Sequence, residues 1–482
     1  MRTKISSDYV IGFDGRGHII IEQGEVVFEG NTIVFVGHGF EGHVERSIDY
    51  GNAVIGPGFV DLDALGDLDT TILGFDNRPG DEIGRVWSEA YLKSGPVEAY
   101  TADEQLFKYR YAFTQLIRNG ITTAIPITSM LYRAWAETYD EFTDVAALAG
   151  SMGLRAYLGP CYMSGVTYIG ADGKAARHFD EAKGLAGLDD AIRFIGDHDG
   201  SHGGRIRGCL LPDRIETQMP EVLRLTAKAC AELDVPVRLH CCQSTYEVET
   251  VLSLHGMTPY RWLEQLGLMT PRAILPHGIY AGAGDDLDLL AASGASIVHC
   301  PVVFARSGEA LRSFSSYTKR GINIAMGTDT FPPDIVDNMR QGLNIGHIID
   351  GGAGIATAAD FYSAATLGGA RALRRDDLGR LAPGARADIT VFDLSGFHLG
   401  QFMDPIKTMV LSGSGRDFKV SFIDGIEVMT DFKVRGADYG ALQAQANAQF
   451  QKAMASHVRQ AGLSGSPGQL LKPSFPVVRR GN

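Results

Sequence analysis

The sequence predicts an α/β fold, a (β/α)8 TIM-type barrel with a small β-sandwich domain built from both chain ends. Three observations predict it. The middle of the chain alternates helical patterns with short apolar strands, as parallel βα units do. Eight such strands can be counted, the number that closes a barrel. The two ends share a different texture, β-rich runs cut by glycine and asparagine turns. A chain of 482 residues has room for one large domain and a smaller one. The expected boundaries are residues 1–56 for the first part of the sandwich, 57–379 for the barrel, 380–435 for the rest of the sandwich, and 436–482 for a helix and tail.

The elements follow in order. His18-Ile-Ile-Ile, Glu25-Val-Val-Phe-Glu29 and Thr32-Ile-Val-Phe-Val36 read as strands. The strand entering Asp61 opens the barrel. Thr101-Ala-Asp-Glu104 is a capping box, and Leu106, Tyr109, Phe113, Leu116 and Ile117 share one face of the helix it starts. Gly120 ends that helix, and Thr122–Thr128 is the next strand. Further strands fall near 154–160, 206–212, 235–241, 273–277, 295–300 and 322–328. Ala387–Phe392, Val420–Ile423 and an Asp424-Gly425 turn return to the sandwich style. Ala441–Phe450 reads as a surface helix, and prolines at 467, 473 and 476 mark a wandering tail.

Composition narrows the function. A net charge of -13 with no Lys/Arg block argues against a nucleic-acid surface. No apolar run is long enough to span a bilayer, and Met1–Asp8 lacks the apolar core of a signal peptide. Six cysteines without a Cys-x-x-Cys pair form neither a disulfide framework nor a structural zinc site. A cytoplasmic protein acting on a small molecule, homo-oligomeric and without nucleic-acid or membrane partners, is the expectation.

The chemistry lies at strand ends. In a (β/α)8 barrel the C-terminal ends of the strands form the active face, so a polar residue closing an apolar strand is aimed into the mouth. His240 closes Val235–Leu239, His277 closes Ala273–Pro276, His299 closes Ala295–Val298, and Asp329 follows Ile322–Thr328. One such histidine alone is better read as structural; four such groups on neighbouring strand ends read as a site.

With these residues the chain resembles the amidohydrolase superfamily, in its branch of chlorohydrolases and cytosine- or adenosine-type deaminases. The resemblance runs over Pro57-Gly-Phe-Val-Asp61, Leu275-Pro-His277-Gly278, Val298-His-Cys-Pro301, Gly327-Thr-Asp329 and Leu378–Asp388. It implies a metal held by a first-strand His-x-His, a fifth-strand histidine (His240) and an eighth-strand aspartate (Asp329). It implies also that His277 touches the attacking water, the substrate or the metal, and that His299 supports.

Two departures stand against the pattern. The His-x-His is replaced by Asp63-Ala64-Leu65: leucine has no donor, while aspartate offers a hard oxygen. A remodelled site would use Asp63, His240, His277 and Asp329 as metal ligands, with Asp67 and Asp69 either reserve carboxylates or a solvated acidic loop. The second departure is Gln243 in His240-Cys-Cys-Gln243, where the resemblance implies a proton-shuttling glutamate. Glutamine can orient a substrate but cannot titrate, although Glu247 or a loop residue could supply the lost carboxylate.

The expected function is a metal-dependent hydrolase of an acyl C–N bond (amide, urea or carbamate-like) using metal-activated water. One divalent ion is expected, zinc first, with iron, manganese or cobalt as alternatives. Asp329 would accept the proton, His277 would polarise the carbonyl, and Gln243 and His299 would orient substrate. The alternatives are a deaminase or dechlorinase of a nitrogen heterocycle, or a non-catalytic ligand-binding barrel. Cys241, Cys242 and Cys300 read as small buried residues rather than nucleophiles. Asp197, His198, Asp199 and His202 read as a mobile surface loop rather than a metal cluster. Val303 and Phe304 make the pocket apolar, and Asp67–Trp87 reads as its lid.

Overall fold

The computed structural model describes residues 1–68, 87–128, 133–282, 284–402, 404–465 and 473–478. Most of the expected lid, with Asp69 and Phe75, lies outside the described residues.

Eight parallel strands form two four-stranded sheets. One runs Ile206–Gly208, Arg155–Leu158, Ile121–Ile127, Phe59–Leu65, and the other Val237–Arg238, Ala273–Pro276, Ser296–His299, Asn323–Met326. They abut at both edges. Leu210 bridges Val237 on one side, and on the other the Asp329 amide donates to the Asp63 carbonyl at 2.8 Å. Thr328 reinforces that second seam through its amide (3.0 Å) and hydroxyl (2.5 Å), both donating to the Asp61 carboxylate. Val60, Leu62, Ile125, Ile274, Val298 and Ala325 gather into one apolar cluster drawn from strands of both sheets. The helices between strands bury their apolar stripes on a second, larger cluster that includes Phe113, Leu116, Phe142 and Phe194.

The capping box forms as read: Thr101 and Glu104 bond reciprocally ahead of the helix Ala102–Arg118, whose Tyr109, Phe113, Leu116 and Ile117 are buried. Its end passes through Asn119 to Gly120 at φ +79°, the left-handed conformation glycine accepts without steric cost.

Both chain ends join one sheet, as their shared texture predicts. It holds nine strands, with Ile389–Asp393 pairing antiparallel to Ala53–Pro57. The sandwich expectation is corrected in one respect: the strands make one continuous hydrogen-bonded sheet that encloses its own core of Ile5, Val26, Ile55, Ile389, Val391 and Phe422. The Asp424-Gly425 turn carries φ +55° and +74°, the double left-handed pattern that matches strand twist in a tight hairpin. The segment 380–435 also contributes a helix, Pro405–Ser412, that packs on the helices Ile335–Asp350 and Ala358–Ser363.

Arg155 ties the small sheet to the barrel strands. It lies 2.8 and 3.0 Å from the two oxygens of Asp388 and 3.0 Å from Asp424, all three side chains buried.

Two readings are corrected at the periphery. The helix at the C-terminal end spans Tyr439–Gln460 and is no free surface helix, because Ala446, Ala453 and Met454 are buried against Tyr100 and Phe107. Asp197 and His198 are not loop residues but the last turn of the helix Glu181–His198. There Asp197 accepts from Tyr139 and His198 stacks on Phe194 at 4.7 Å, while Asp199 accepts from Arg207 and from the Gly208 amide. Among the described residues they form no metal cluster.

Candidate active site

The ends of the first, fifth, sixth and eighth strands bring Asp63, His240, His277 and Asp329 together. Asp63 Oδ1 lies 3.7 Å from His240 Nε2, and Asp63 Oδ2 lies 3.7 Å from His277 Nε2. Asp329 Oδ2 is 3.9 Å from His277 Nε2. The imidazoles of His240 and His277 stack, with centroids 5.2 Å apart. His277 and Asp329 hold left-handed backbones, φ +85° and +43°, a strain of about 1–3 kcal/mol each that clusters at functional sites.

Both imidazoles are driven toward the neutral form. Burial pushes their pKa values well below the ordinary histidine value, helped by the charges of Arg238 and Arg214. His240 Nδ1–H donates to the Asp213 carbonyl at 2.8 Å, which leaves the Nε2 lone pair to accept from Arg238 Nη1 at 3.5 Å, beside Asp63. Among the described residues His277 has no hydrogen-bond partner at either ring nitrogen although it is buried. An imidazole in that state forgoes about 1–3 kcal/mol per unmade bond, the sign of a group kept for a ligand.

Two residues central to the site escaped the sequence reading, both arginines. Arg238 is fully buried, with Nη1 2.5 Å from Asp63 Oδ1 and 3.5 Å from His240 Nε2. Its signal was available: it lies two positions before His240 in an apolar strand, and period-2 alternation puts both on one face. Arg214 follows the fourth strand, its backbone bridges to His240, and its Nη1 donates to Gln243 Oε1. Gln243 therefore has its carbonyl oxygen engaged and its NH₂ left to donate.

Glu247 does not replace the missing shuttle. Its carboxylate accepts from the Cys242 and Gln243 amides and so clamps the end of the fifth strand. Burial pushes its pKa well above the usual carboxylate range. Asp61, pushed up to about 7 by burial, is spent on the Thr328 seam. His299 packs against the stacked pair Phe314 and Phe361, with centroids at 6.4 and 6.3 Å. The Cys241, Cys242 and Cys300 thiols are all raised above their ordinary pKa by burial, which keeps them protonated and unreactive. Asp67 is buried beside the mouth strand, and Leu65 lies buried in it with no donor to offer. Phe304 lies edge-on to His277 at 4.6 Å, the apolar wall the sequence predicts.

The donor set fits a single divalent cation. The ligand atoms of Asp63, His240 and His277 all lie within 4.8 Å of one another, His277 has an orphaned lone pair, and one carboxylate oxygen with two imidazole nitrogens suits zinc or its neighbours, with Asp329 Oδ2 3.9 Å from His277 beside them. Arg238 takes Oδ1 of Asp63; Oδ2 keeps only the Cys300 thiol, at 3.6 Å.

A family model described as the amidohydrolase family matches residues 100–428. The chain is 30% identical over 75% of its length to a 5-methylthioadenosine/S-adenosylhomocysteine deaminase of Halobacterium salinarum, 77% of which is covered. It is 26% identical over 88% of its length to the like-named protein of Natronomonas pharaonis, 90% of which is covered. Among solved structures it is similar to an adenosine deaminase from Xanthomonas campestris with bound zinc, at TM-score 0.77 and 20% identity over 94% of this chain and 98% of that one. It is similar also to a mutant atrazine chlorohydrolase from Arthrobacter aurescens complexed with zinc and atraton, at TM-score 0.78 and 21% identity over 92% and 99%.

Proposed function

This chain belongs to the amidohydrolase family and is a hydrolase acting on carbon–nitrogen bonds, and on that premise we propose that it cleaves an acyl C–N bond of a small molecule in the mouth of a (β/α)8 barrel. Asp63, His240, His277 and Asp329 would hold one divalent ion, zinc first among the candidates. Such an ion supplies Lewis acidity: it lowers the pKa of water and polarises the bond under attack.

The residues divide the remaining work. Asp329 Oδ2, 3.9 Å from His277 Nε2, accepts the proton of the attacking water and returns it to the leaving nitrogen. His240 is held in one tautomer by the Asp213 carbonyl. Asp63 is aimed by Arg238, which fixes one oxygen and leaves the other facing His277. Gln243 presents its NH₂ to the substrate carbonyl while Arg214 holds its other end. Phe304 closes the apolar side and keeps bulk water out.

The observation that carries the choice of acyl hydrolysis is the pair Gln243 and Glu247. The first cannot titrate, and the second has both oxygens turned to the backbone amides of the strand end, which supports a reaction that does not draw on either as a proton shuttle. The deaminase names of the relatives favour a second reading, hydrolytic deamination of a nitrogen heterocycle. A screen of amides, ureas, carbamates and aminated heterocycles separates them. An amine and an acid as products support the first; ammonia beside an oxo-heterocycle as the only activity refutes it.

A further inference from the structure

Of the arginines in and beside the barrel, three bury their guanidinium groups and are ion-paired. Arg133 lies on Glu141 and 3.6 Å from Glu137, Arg155 on Asp388 and Asp424, and Arg238 on Asp63. Arg214 is the exception. Its one hydrogen bond goes to the neutral amide oxygen of Gln243, and among the described residues no carboxylate comes within ion-pair distance. Asp213, Glu216, Glu247 and Asp329 act on it only from further off.

A guanidinium at the rim of a buried mouth, with no carboxylate in contact, can complete an ion pair with a ligand that arrives there. Arg214 meets the other requirements of a docking group. It stays partly accessible, as do Asp213 and Gln243, while His240 and Glu247 behind it are buried. Its backbone is pinned to the fifth strand at His240, and the Ile215 amide donates to the His240 carbonyl at 3.2 Å. Gln243 fixes one arm of the planar fork, and among the described residues the other N–H donors have no hydrogen-bond partner. Its charge reaches Asp63, His240 and His277 alike, which places it near the same mouth.

We propose that Arg214 is the docking group for a carboxylate on the substrate, and that the substrate is an acid whose apolar or aromatic body lies toward Phe304. The inference rests on the reading of this mouth as the active site and adds the substrate class to it. A guanidinium recognises a carboxylate through two parallel N–H···O bonds, which sets orientation as well as affinity. The carboxylate then anchors one end of the molecule while its scissile bond lies over Asp329 and His277.

The test is binding, so that it fails independently of turnover. The whole chain is titrated by thermal shift and calorimetry with a panel of aryl carboxylic acids, each beside its own primary amide. At least one acid binds ten times or more tighter than its amide, and Arg214→Met abolishes that preference while Arg214→Lys retains part of it. The ligand-free melting temperature of each variant is the control for folding. Acids and amides binding alike, no acid preference anywhere in the panel, or a preference that survives in Arg214→Met overturns the proposal. Inorganic sulfate at equal concentration leaves the acid bound; displacement by sulfate would make this a general anion hole and overturn the substrate assignment. Hydrolysis confined to neutral substrates would sink this inference and leave the hydrolase reading standing.

Discussion

Arg155 and Arg238 are both buried arginines on barrel strands, both ion-paired to aspartate, and they differ in what surrounds the pair. At Arg155 the circle is closed: Asp388 and Asp424 take three of its contacts, and Asp388 accepts the Asp424 amide at 2.7 Å as well. At Arg238 the circle is open. Asp63 keeps one oxygen turned toward His277, which has no hydrogen-bond partner among the described residues. A structural ion pair satisfies every group within it, while a functional one leaves donors and acceptors for something that arrives later.

The largest expected effect breaks the open site. Asp329→Ala removes the proposed proton acceptor and should lower kcat by about 10³-fold or more, with little change in melting temperature, as measured by product release and calorimetry. Retained activity in that variant would remove Asp329 from the mechanism.

Arg155→Met breaks the closed site and should act on stability alone. It leaves Asp388 buried without its cation, while Asp424 keeps Arg386 at 3.3 Å and Arg205 at 3.6 Å, a loss of about 3–5 kcal/mol by denaturant titration, and the folded fraction keeps wild-type kcat. A loss of activity at full stability would contradict the contrast.

Arg238→Met separates the two cations of the mouth. Asp63 then lacks its partner, so the metal-free variant should unfold about 3–5 kcal/mol more easily, and added zinc should restore more stability to it than to the wild type. Elemental analysis of both proteins sharpens the result. An Arg238→Met chain that ignores zinc would show that these donors do not bind it.

The smallest effect is a pH dependence far from the mouth. His18 joins the small sheet to the barrel through a 2.9 Å bond to Thr366, and burial lowers its pKa to about 4. The depressed value means that the unfolded chain takes up the proton first. Stability is therefore full above pH ~6.5 and falls as the pH drops toward 4, by roughly 1–3 kcal/mol. His18→Gln should flatten that part of the stability profile, and an unchanged slope would assign it elsewhere.

The fold was largely legible from local signals. Apolar strands alternating with capped helices, as at Thr101–Ile127, reflect burial on both faces of a parallel sheet, and that requirement is written residue by residue. The strand-end rule also located His240, His277 and Asp329, because direction and alternation fix where a terminal side chain points. Arg238 was legible in principle by the same alternation. Its partner was not: Asp63 and Arg238 are 175 residues apart, and only the meeting of the two parallel sheets puts them in contact.

What the sequence by itself determined is the order of strands and helices and the set of polar groups delivered to one face of the barrel, since both follow from periodicities of a few residues. What only the tertiary structure decided is how those groups divide the charge. It gave Asp63 to Arg238, spent Glu247 on backbone amides, and left Arg214 with a neutral amide. The physical reason is that pairing energy depends on distances across the barrel, and chain spacing does not encode those distances.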